Sequence, residues 1–317
     1  MTWRGRAVGL LLVLVVVLGA AWLWHEKRRV EEAYVAQPRV TLWSGLGQVR
    51  QSVGELSYGA RVTVLERRKE NARVLGPAGE KGWLSEQSLM APGLWGQISE
   101  LQERVRGLPV QARGRTGAIS NLRLAPGRDQ PRVFQLRSGA TVEILGRAVA
   151  DRPAQAEPGA SLPHSQDPRR EDWLLVRARP DGMREMSGWI LGRFVQLDLP
   201  PPLRDLGAGI RWMAYFELSR VPTEAGDVPQ YLGAGVAGGE GQPCDFTLLR
   251  VFTWDTLRHR YETAYVESNF CGRLPIQVGS DRGQPVFWFT NVRKAGEEER
   301  RYRMRGAIVR REAAPRS

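Results

Sequence analysis

The sequence has few of the residues that carry enzymatic and metal chemistry. It contains two cysteines and three histidines among 317 residues, and no histidine stands at ligand spacing from a cysteine, as a metal site would need. Gly-x-Ser-x-Gly, Walker and His-Glu-x-x-His motifs are all absent. No spacing among the carboxylates singles out an acid–base pair. The sequence therefore predicts no metal, no cofactor and no enzymatic activity.

The two cysteines leave one pairing to consider. Cys244 and Cys271 would close a loop of about 28 residues, which the loop-entropy model values at about 3.5 kcal/mol. A single disulfide is the simplest interpretation, and two unpaired buried thiols are the alternative. A disulfide would agree with export from the cytoplasm.

Acidic residues are outnumbered by basic ones. The chain has 46 lysines and arginines against 34 aspartates and glutamates, which gives a net charge of +12 and a pI near 10.4. Such a charge attracts polyanions, whether nucleic acid, anionic lipid headgroups or acidic wall polymers. Arginines are spread along the chain and interleaved with acidic residues, so a well-solvated basic surface is the simpler interpretation.

One long apolar run stands near the N-terminus. Ala7–Trp24 contains 18 residues without a charge, which is about 27 Å as a helix and long enough to cross the hydrocarbon of a bilayer. We therefore predict a transmembrane helix at residues 7–24. It would hold the protein in the inner membrane by a single pass, with the bulk periplasmic or extracellular. The alternative is a secretion signal cleaved after Ala21, which would release the protein.

A repeated stretch organises the first half of the chain. Leu56–Arg67, LSYGARVTVLER, returns as Leu136–Arg147, LRSGATVEILGR, and six of the twelve positions agree at a constant offset of 80. Each copy places a Gly-Ala pair before a run that alternates apolar and polar residues, which is typical of a tight turn followed by a half-buried strand. The 35 glycines and 20 prolines favour short strands over long helices. We therefore predict two similar small β modules.

The organisation predicted from these features has five parts. They are a membrane anchor or signal at 1–30, a first module at 31–90, a linker helix at 91–108, a second module at 109–199 and a C-terminal β domain at 203–317. We expect the helix to pack against a neighbouring module, since it is too short for a coiled coil. Four prolines among small and charged residues mark 148–171 as an insertion in the second module, and we predict that it is disordered.

Short motifs characterise the second module. They are NLRLAPG at Asn121–Gly127, the strand after Gly139, DWLLV at Asp172–Val176 and GWI at Gly188–Ile190. In this order they resemble the bacterial SH3 (SH3b) family of small β-barrels. The first module matches at Gly59 and at Gly82-Trp83, but Thr41-Leu42-Trp43 replaces the Asn-Leu-Arg start. The resemblance implies two tandem barrels that bind cell-wall or other ligands.

The aromatic residues of the two modules are candidates for a binding groove. Trp83 and Trp189, in the closing Gly-Trp strands, are more often part of a core than of a contact surface. The groove candidates are Trp43, Tyr58, Phe134, Trp173 and Phe194.

The pattern of the C-terminal domain is typical of an antiparallel β domain. Arginines alternate with apolar residues in Leu257–Val266 and again in Tyr302–Val309. If these two strands were neighbours, five arginines would form a strip able to bind an anionic ligand: Arg258, Arg260, Arg301, Arg303 and Arg305. Nearby glutamates favour the alternative, a solvated face that its own carboxylates neutralise.

The predicted fold class is mainly β. It consists of an N-terminal transmembrane helix, two small SH3-like β-barrels joined by a short helix, and a C-terminal antiparallel β domain. The predicted function is that of a non-catalytic, membrane-anchored envelope protein whose modules bind cell-wall peptide or glycan, or an envelope protein. One alternative is an envelope scaffold that makes protein–protein contacts only. The other is a membrane-tethered polyanion binder, although nucleic acid is the least favoured partner.

Overall fold

The described part of the chain is built mainly of β-strands. The computed structural model describes residues 31–153, 170–180 and 183–312. In these ranges three seven-stranded antiparallel sheets follow one another along the chain. The chain divides into two compact units, one ending at Gly96 and the other beginning at Gln97. The mainly β character predicted from the composition is confirmed.

The transmembrane helix of the predicted fold class needs correction. Within the described ranges the α-helices are α1 (Pro92–Val105) and α2 (Pro201–Asp205), and no helix there is long and apolar enough to cross a membrane. Ala7–Trp24, on which the prediction rested, and the alternative cleavage site after Ala21 lie outside the described residues. The fold class that the structure supports is three antiparallel sheets with few helices.

The first unit contains one sheet with its own core. Its strands are β1 (Glu31–Val35), β2 (Arg39–Trp43), β3 (Ser52–Ser57), β4 (Arg61–Arg68), β5 (Asn71–Leu75), β6 (Lys81–Ser85) and β7 (Leu89–Met90). They are ordered β3-β2-β6-β5-β4-β1-β7 in the sheet. Strands β1 to β6 all contribute buried residues to one cluster, among them Val35, Leu42, Leu56, Val62 and Val74. Because six strands share this core, the sheet curves around it.

The second unit begins with a sheet of the same design. Its strands are β8 (Ala112–Thr116), β9 (Ser120–Arg123), β10 (Arg132–Leu136), β11 (Thr141–Asp151), β12 (Arg170–Ala178), β13 (Met186–Leu191) and β14 (Val195–Leu197). Their order, β10-β9-β13-β12-β11-β8-β14, is the order of the first sheet with every number raised by seven. We refer to β1–β7 as the first module and to β8–β14 as the second module. The repeat in the sequence therefore corresponds to two modules of one topology.

The repeated Gly-Ala pair makes the same turn in both modules. Gly59 and Gly139 have φ angles of 74° and 77°, a left-handed conformation that suits glycine and costs other residues roughly 1–2 kcal/mol. The N–H of Gly59 donates a hydrogen bond to the carbonyl oxygen of Val35 at 2.8 Å, and that of Gly139 to the carbonyl oxygen of Thr116 at 2.7 Å. The predicted tight turn is confirmed, and it is tied to the first strand of each module.

Helix α1 lies between the two modules in the sequence, and the boundary between the two units falls within it. In the second unit its residues Leu101 and Val105, four apart and therefore on one face of the helix, pack against Leu145 and Leu175 of the second module. The prediction that this helix packs against a module is confirmed.

The predicted insertion at 148–171 is shorter than expected. Strands β11 and β12 pair from Val142 and Ala178 outward to Asp151 and Arg170, so both ends of that range are regular strand. The prolines suggested that the strand ends before residue 148, but the first of them, Pro153, comes only after Asp151, the last residue of β11. The disorder predicted for residues 154–169 concerns residues outside the described ranges.

The C-terminal domain is a meander, in which each strand pairs with the next along the chain. Its strands are β15 (Ile210–Val221), β16 (Val228–Ala237), β17 (Phe246–Asp255), β18 (Arg260–Asp281), β19 (Gln284–Arg293), β20 (Gly296–Arg305) and β21 (Ile308–Arg311). Its core contains Phe246, Phe287, Phe289 and Tyr302 among other buried residues. The antiparallel β domain predicted from the sequence is therefore present, and we call it the C-terminal sheet.

Strand β16 has two glycines in its interior. It carries Gly233 and Gly235 in its middle, and glycines in a strand interior weaken the pattern. They are required because side chains of β15 lie against them. A Cβ added to Gly233 would stand 2.6 Å from Cζ3 of Trp212, and one added to Gly235 would stand 2.5 Å from Cγ2 of Ile210. The two glycines thus make room for side chains of the neighbouring strand.

Within the second unit, a buried arginine of the second module holds a loop of the C-terminal sheet. Residues 238–245, which we call the strap, connect β16 to β17. Arg147 of β11 is fully buried. It donates hydrogen bonds to Oδ1 of Asp245 at 3.0 Å, to the carbonyl oxygen of Gln242 at 2.9 Å and to the carboxylate of Asp172. One guanidinium therefore joins strand β12 of the second module to two residues of the strap.

A buried glutamine makes a second connection. Gln111, just before β8, accepts a hydrogen bond at Oε1 from the N–H of Ile276 at 2.7 Å and donates from Nε2 to the carbonyl oxygen of Ile276 at 3.2 Å. Its own carbonyl oxygen accepts from the N–H of Tyr215 at 2.8 Å. The side chain thus pairs with both backbone groups of one residue in the core of the C-terminal sheet.

The surroundings of Asp172 lower the pKa of its carboxyl group. Burial by itself would raise that pKa, but Arg147 hydrogen-bonds the carboxylate and attracts its charge, the backbone N–H of Gly241 donates a further hydrogen bond, and Arg211 adds a second positive charge. These interactions favour the charged form on balance. A carboxyl group with a lowered pKa stabilises the fold above its ordinary pKa, and this contribution is lost as the pH falls through the lowered pKa.

Acid should therefore weaken the contact between the second module and the strap. We expect the free energy of unfolding to decrease as the pH is lowered below the ordinary aspartate pKa of about 4, because Asp172 of the unfolded chain binds a proton at a higher pH than Asp172 of the folded chain. Asp172→Asn, which keeps the shape and removes the charge, should be less stable near neutral pH and show a shallower decrease. Thermal unfolding followed by circular dichroism measures both curves. Parallel curves would show that Asp172 does not carry the acid dependence.

Candidate ligand-binding groove

A groove of about 370 Å³ opens on the first module beside β2 and β6. Its lining includes two tryptophans, two arginines, an asparagine and a leucine: Trp43, Trp83, Arg39, Arg50, Asn71 and Leu46. Trp43 is partly exposed and can offer a flat apolar surface to a ligand, whereas Trp83 is buried, with 8% of its surface exposed, as expected for a closing tryptophan that belongs to a core.

The strand pairing explains why two tryptophans meet here. Trp43 is the partner of Trp83 between β2 and β6, so both side chains point to the same face of the sheet. The alternate residues Leu42 and Gly82 point to the core, where a Cβ on Gly82 would stand only 2.7 Å from Cβ of Leu42. The glycine of the Gly-Trp motif therefore lets β6 approach β2, and the tryptophan that follows it lies on the other face of the sheet, where it is still buried.

The charged groups in the groove are all positive. The guanidinium of Arg50 lies 4.5 Å from the centre of the Trp43 ring, within the range of a cation–π contact. Arg39 stands 3.5 Å from Glu55 in an exposed ion pair. No aspartate or glutamate lines the groove, and in the described part of the chain Arg50 has no carboxylate partner. The groove thus favours a ligand with a negative charge next to a flat or apolar part.

The loop between β2 and β3 places further apolar groups beside the groove. Ser44 and Gln51 close its base, with a hydrogen bond of 2.9 Å from the N–H of Ser44 to the carbonyl oxygen of Gln51 and one of 3.1 Å from the N–H of Gln51 to Oγ of Ser44. Leu46 and Val49 are exposed within it, Val49 by 99%. Two apolar side chains thus meet water at this loop.

The corresponding positions of the second module differ. Arg123 pairs with Trp189 where Trp43 pairs with Trp83, so an arginine replaces the groove tryptophan. Its Nη1 donates to the carbonyl oxygen of Gln130 at 2.6 Å, a contact within the module. The second module therefore lacks the paired tryptophans of this groove.

In the second module, the sheet face that points away from the core is covered by helix α1. Leu65 and Leu145 are equivalent bulge residues, each skipped in the pairing of its strand. Leu145 is buried in the cluster formed with Leu101 and Val105 of α1, whereas Leu65 is 47% exposed. A face that a helix covers in the second module is therefore open in the first, and the first module is the one able to bind a ligand there.

The structure separates the aromatic residues predicted to line a groove. Trp43 lies in the groove. Tyr58, Phe134 and Trp173 are buried, Trp173 with only 2% of its surface exposed, so their rings are part of the cores. Phe194 is 39% exposed in the short 3-10 helix Gly192–Phe194 of the second module. Of the five candidates, Trp43 alone lines the groove of the first module.

Two residues of the groove were missed by the sequence reasoning. Asn71 occupies the position of Trp173, because each is paired two residues beyond the closing tryptophan of its module. Arg50 lies in the β2–β3 loop, and its position over Trp43 depends on the course of that loop. Neither residue belongs to a motif, and the only signal available was the lack of a tryptophan in the first module where Trp173 stands in the second.

The predicted arginine strip of the C-terminal sheet does not form. Strand β19 lies between β18 and β20, so the two arginine-rich strands are not neighbours. Arg258 and Arg260 pair with Glu262 at 2.7 and 2.8 Å. The prediction assumed that strands related by pattern were adjacent, whereas the meander places one strand between them.

Carboxylates also pair with the arginines on β20. Arg301 and Arg303 each contact Glu312, at 3.0 and 2.6 Å, and Arg305 lies exposed at the end of the strand. These pairs match the alternative expectation of a solvated face neutralised by its own carboxylates.

The two cysteines form the predicted disulfide. Cys244 and Cys271 are bonded, and their Cα atoms are 5.0 Å apart. The bond joins the end of the strap to β18. The described residues contain no free cysteine and no cluster of side chains suited to a metal ion.

No family model and no curated protein matches the chain. Among solved structures it is similar to an NlpC/P60 family protein from Bacillus cereus, with 13% identity, 60% of this chain and 65% of that chain covered, and a TM-score of 0.24. It is also similar to NlpC2 from Trichomonas vaginalis, with 12% identity, 90% and 92% covered and a TM-score of 0.18. NlpC1 from the same organism is also similar, with 12% identity, 85% of this chain and 87% of that chain covered, and a TM-score of 0.18.

These values are too low to assign the chain a fold or a chemistry, and the chain spans only 65% of the Bacillus cereus protein. They do correct one prediction. The sequence reasoning concluded that the protein is not an enzyme, but the solved structures it is similar to are NlpC/P60 family proteins, which are typically cell-wall peptidases. The absence of a recognised motif is therefore no ground for excluding catalysis, and the function proposed below concerns binding.

Proposed function

We propose that this protein is a cell-envelope protein that binds a cell-wall peptide or glycan through the groove of its first module. The observation that carries the proposal is the difference between the two modules. In the first module Trp43 and Trp83 line an open groove, whereas in the second α1 covers the corresponding face. Binding is thus assigned to the first module, and the second module connects to the C-terminal sheet.

The resemblance to the SH3b family supports this assignment. The strand that follows a glycine and the Gly-Trp strand of that family's pattern occupy equivalent places in two sheets of identical strand order. Family membership is part of the proposal, and its support is the agreement between these motifs and the positions they take in each module.

The chemistry of the groove fits wall components. Arg50 offers a positive charge directly above the Trp43 ring, and Asn71 adds an amide that can both donate and accept hydrogen bonds. A peptide or amino-sugar unit with a carboxylate would pair the carboxylate with Arg50 and lie against an indole. The Cys244–Cys271 disulfide supports an oxidising compartment outside the cytoplasm, where such ligands are found.

Removing the ring of Trp43 should abolish most of the binding. We expect Trp43→Ala in the full chain to weaken co-sedimentation with purified wall sacculi at physiological salt by about 30-fold, because a tryptophan at the centre of a binding site typically contributes about 2 kcal/mol or more. Phe194→Ala is the matched control, since it removes another partly exposed aromatic ring outside the groove. The control should bind like the unmodified protein.

Two results would contradict the proposal. One is an equal loss of binding in both variants. The other is binding that survives Trp43→Ala and decreases steeply with salt, which would indicate attraction to polyanions through the overall positive charge. Soluble wall fragments released during the same incubation would measure any hydrolysis of the sacculi.

A further inference from the structure

A cavity of about 660 Å³ opens in the C-terminal sheet, where β18 passes between the start of β17 and the end of β19. Its lining contains three partly exposed apolar residues, Ile210, Leu248 and Val292. A cavity of this volume that combines apolar residues with a few polar ones is typical of small-molecule sites. The cavity is therefore a candidate for a second binding site, separate from the groove of the first module.

An irregularity of β18 forms one wall of the cavity. In regular pairing each residue of β17 would stand opposite one residue of β18. Here Thr247 alone stands opposite residues 269–271, and Thr247 and all of residues 268–271 line the cavity. A β-bulge of this kind takes residues out of the ladder and redirects their side chains, and bulges are common beside functional sites.

Two interactions hold this bulge in place. Cys271 is bonded to Cys244 of the strap, and its N–H donates a hydrogen bond to Oδ1 of the buried Asn291 at 3.0 Å. Nδ2 of Asn291 donates in turn to Oε1 of Glu298 at 2.9 Å. Asn269 has a φ of 65°, a left-handed conformation that asparagine adopts more readily than most residues. Because the protein itself fixes this wall, a ligand would lose little affinity to ordering it.

The charged residues in the lining are arginines. Arg293 and Arg300 belong to it, and none of the described residues that line the cavity is an aspartate or a glutamate. Their shared partner Glu298, 2.7 Å from Arg293 and 2.9 Å from Arg300, lies outside the lining. The charge that the cavity presents is therefore positive, which favours an anionic ligand.

Arg293 is the more accessible of the two arginines. Its side chain is 52% exposed, whereas that of Arg300 is 9% exposed. An exposed ion pair such as that of Arg293 with Glu298 contributes little stability, and a guanidinium carries five N–H donors. Arg293 can therefore pair with an acidic group of a ligand while it stays beside Glu298.

We propose that this cavity binds a small organic anion that has an apolar or aromatic body and one acidic group. The body lies against Ile210, Leu248 and Val292, and the acidic group pairs with Arg293. The site belongs to the C-terminal sheet, and it is a function beyond the binding of wall components by the first module.

Naphthoate and naphthylmethylamine, substituted at the same ring position, test the preference for an anion. The full chain is titrated with each at physiological salt, and binding is followed by isothermal titration calorimetry. Naphthoate should bind saturably with a Kd of about 1 mM or lower, and naphthylmethylamine should bind at least about tenfold more weakly. Equal binding of the two probes, or no saturable binding of naphthoate up to about 10 mM, would overturn the proposal.

Variants that fill the cavity locate the site. Ser268→Trp and Ala237→Trp add a ring at exposed positions of the lining and should weaken naphthoate binding by about tenfold or more. Leu257→Trp adds the same ring outside the lining, at a position that is 91% exposed, and should change nothing. Thermal unfolding shows whether each variant is folded. A folded filling variant that binds naphthoate like the unmodified protein would refute the site.

A charge variant tests the role of Arg293. Arg293→Gln should weaken naphthoate binding by about threefold to tenfold and should not weaken the binding of naphthylmethylamine. Arg305→Gln is the matched control, because it removes one positive charge from an exposed position of the same sheet outside the lining. Equal weakening by both variants would assign the binding of the anion to the overall positive charge and would overturn the proposal.

Discussion

Replacing Arg147 with alanine should lower the free energy of unfolding by about 3–5 kcal/mol. The side chain is fully buried and holds two carboxylates, Asp172 and Asp245. Without it, both carboxylates would be buried without their main positive partner, and the carbonyl oxygens of Gln242 and Cys244 would lose a hydrogen bond. The loss of a buried charge partner costs more than the pair contributes, because the remaining charge stays in a low dielectric.

The repeat supplies a matched control for this prediction. Arg67 occupies the position of Arg147 in the first module, but it is exposed and pairs with Glu31 and Glu86 at the surface. Arg67→Ala should cost only about 0–1 kcal/mol, as surface pairs do. Urea unfolding of the full chain, followed by circular dichroism, compares the two variants. Similar losses for both would show that burial of the Arg147 network contributes little.

Arg147→Met separates the charge from the volume of the side chain. It leaves an apolar group of similar length in place, so little cavity is created, while both carboxylates still lose their partner. We expect it to be nearly as destabilising as alanine. A nearly neutral effect would mean that the loss in Arg147→Ala comes from packing and not from the unpaired carboxylates.

One position of the repeat thus serves different purposes in the two modules. In the first module Arg67 makes exposed pairs, whereas Arg147 fastens the strap. The sheet face that points away from the core also differs, since it is open in the first module and covered by α1 in the second. The modules share a scaffold and differ in their contacts: the second packs against other parts of its own chain, and the first keeps an open groove.

Local and repeated features of the fold were predictable from the sequence. The Gly-Ala turn, the Gly-Trp strand and the apolar spacing of α1 each depend on residues close together in the chain. Their predicted structures agree with the turns at Gly59 and Gly139 and with the packing of Leu101 and Val105. The pairing of Cys244 with Cys271 was predictable because the chain contains no other cysteine.

Features that depend on distant residues were not predictable. Arg147 and Asp245 are 98 residues apart in sequence, and no sequence motif contains both of them. The burial of Trp173 and the exposure of Trp43 follow from which face is covered, which a strand pattern does not reveal. For the same reason the arginine strip was wrong, since alternation shows which face an arginine occupies but not which strand lies next to it.

Removing the disulfide should have the second large effect on stability. We expect Cys244→Ser combined with Cys271→Ser to lower the free energy of unfolding by about 3.5 kcal/mol, because the bond closes a loop with a sequence separation of 27 and restricts the unfolded chain. The bond also fixes one end of the strap, whose Gly241 donates its N–H to Asp172.

Hydrogen exchange of the strap distinguishes these two contributions. If the disulfide acts only on the unfolded chain, its removal should raise the amide exchange rates of Gly241 and of the core strand β17 by the same factor, because both follow global unfolding. If the disulfide also holds the strap in place, its removal should raise the exchange rate of Gly241 more than that of β17. We expect the faster exchange, because the strap depends on contacts from Arg147 and Arg211 and has no strand partner of its own. Arg67→Ala, which leaves the strap untouched, should not change this exchange relative to β17. Equal changes in the strap and in β17 on loss of the disulfide would restrict its effect to the unfolded state.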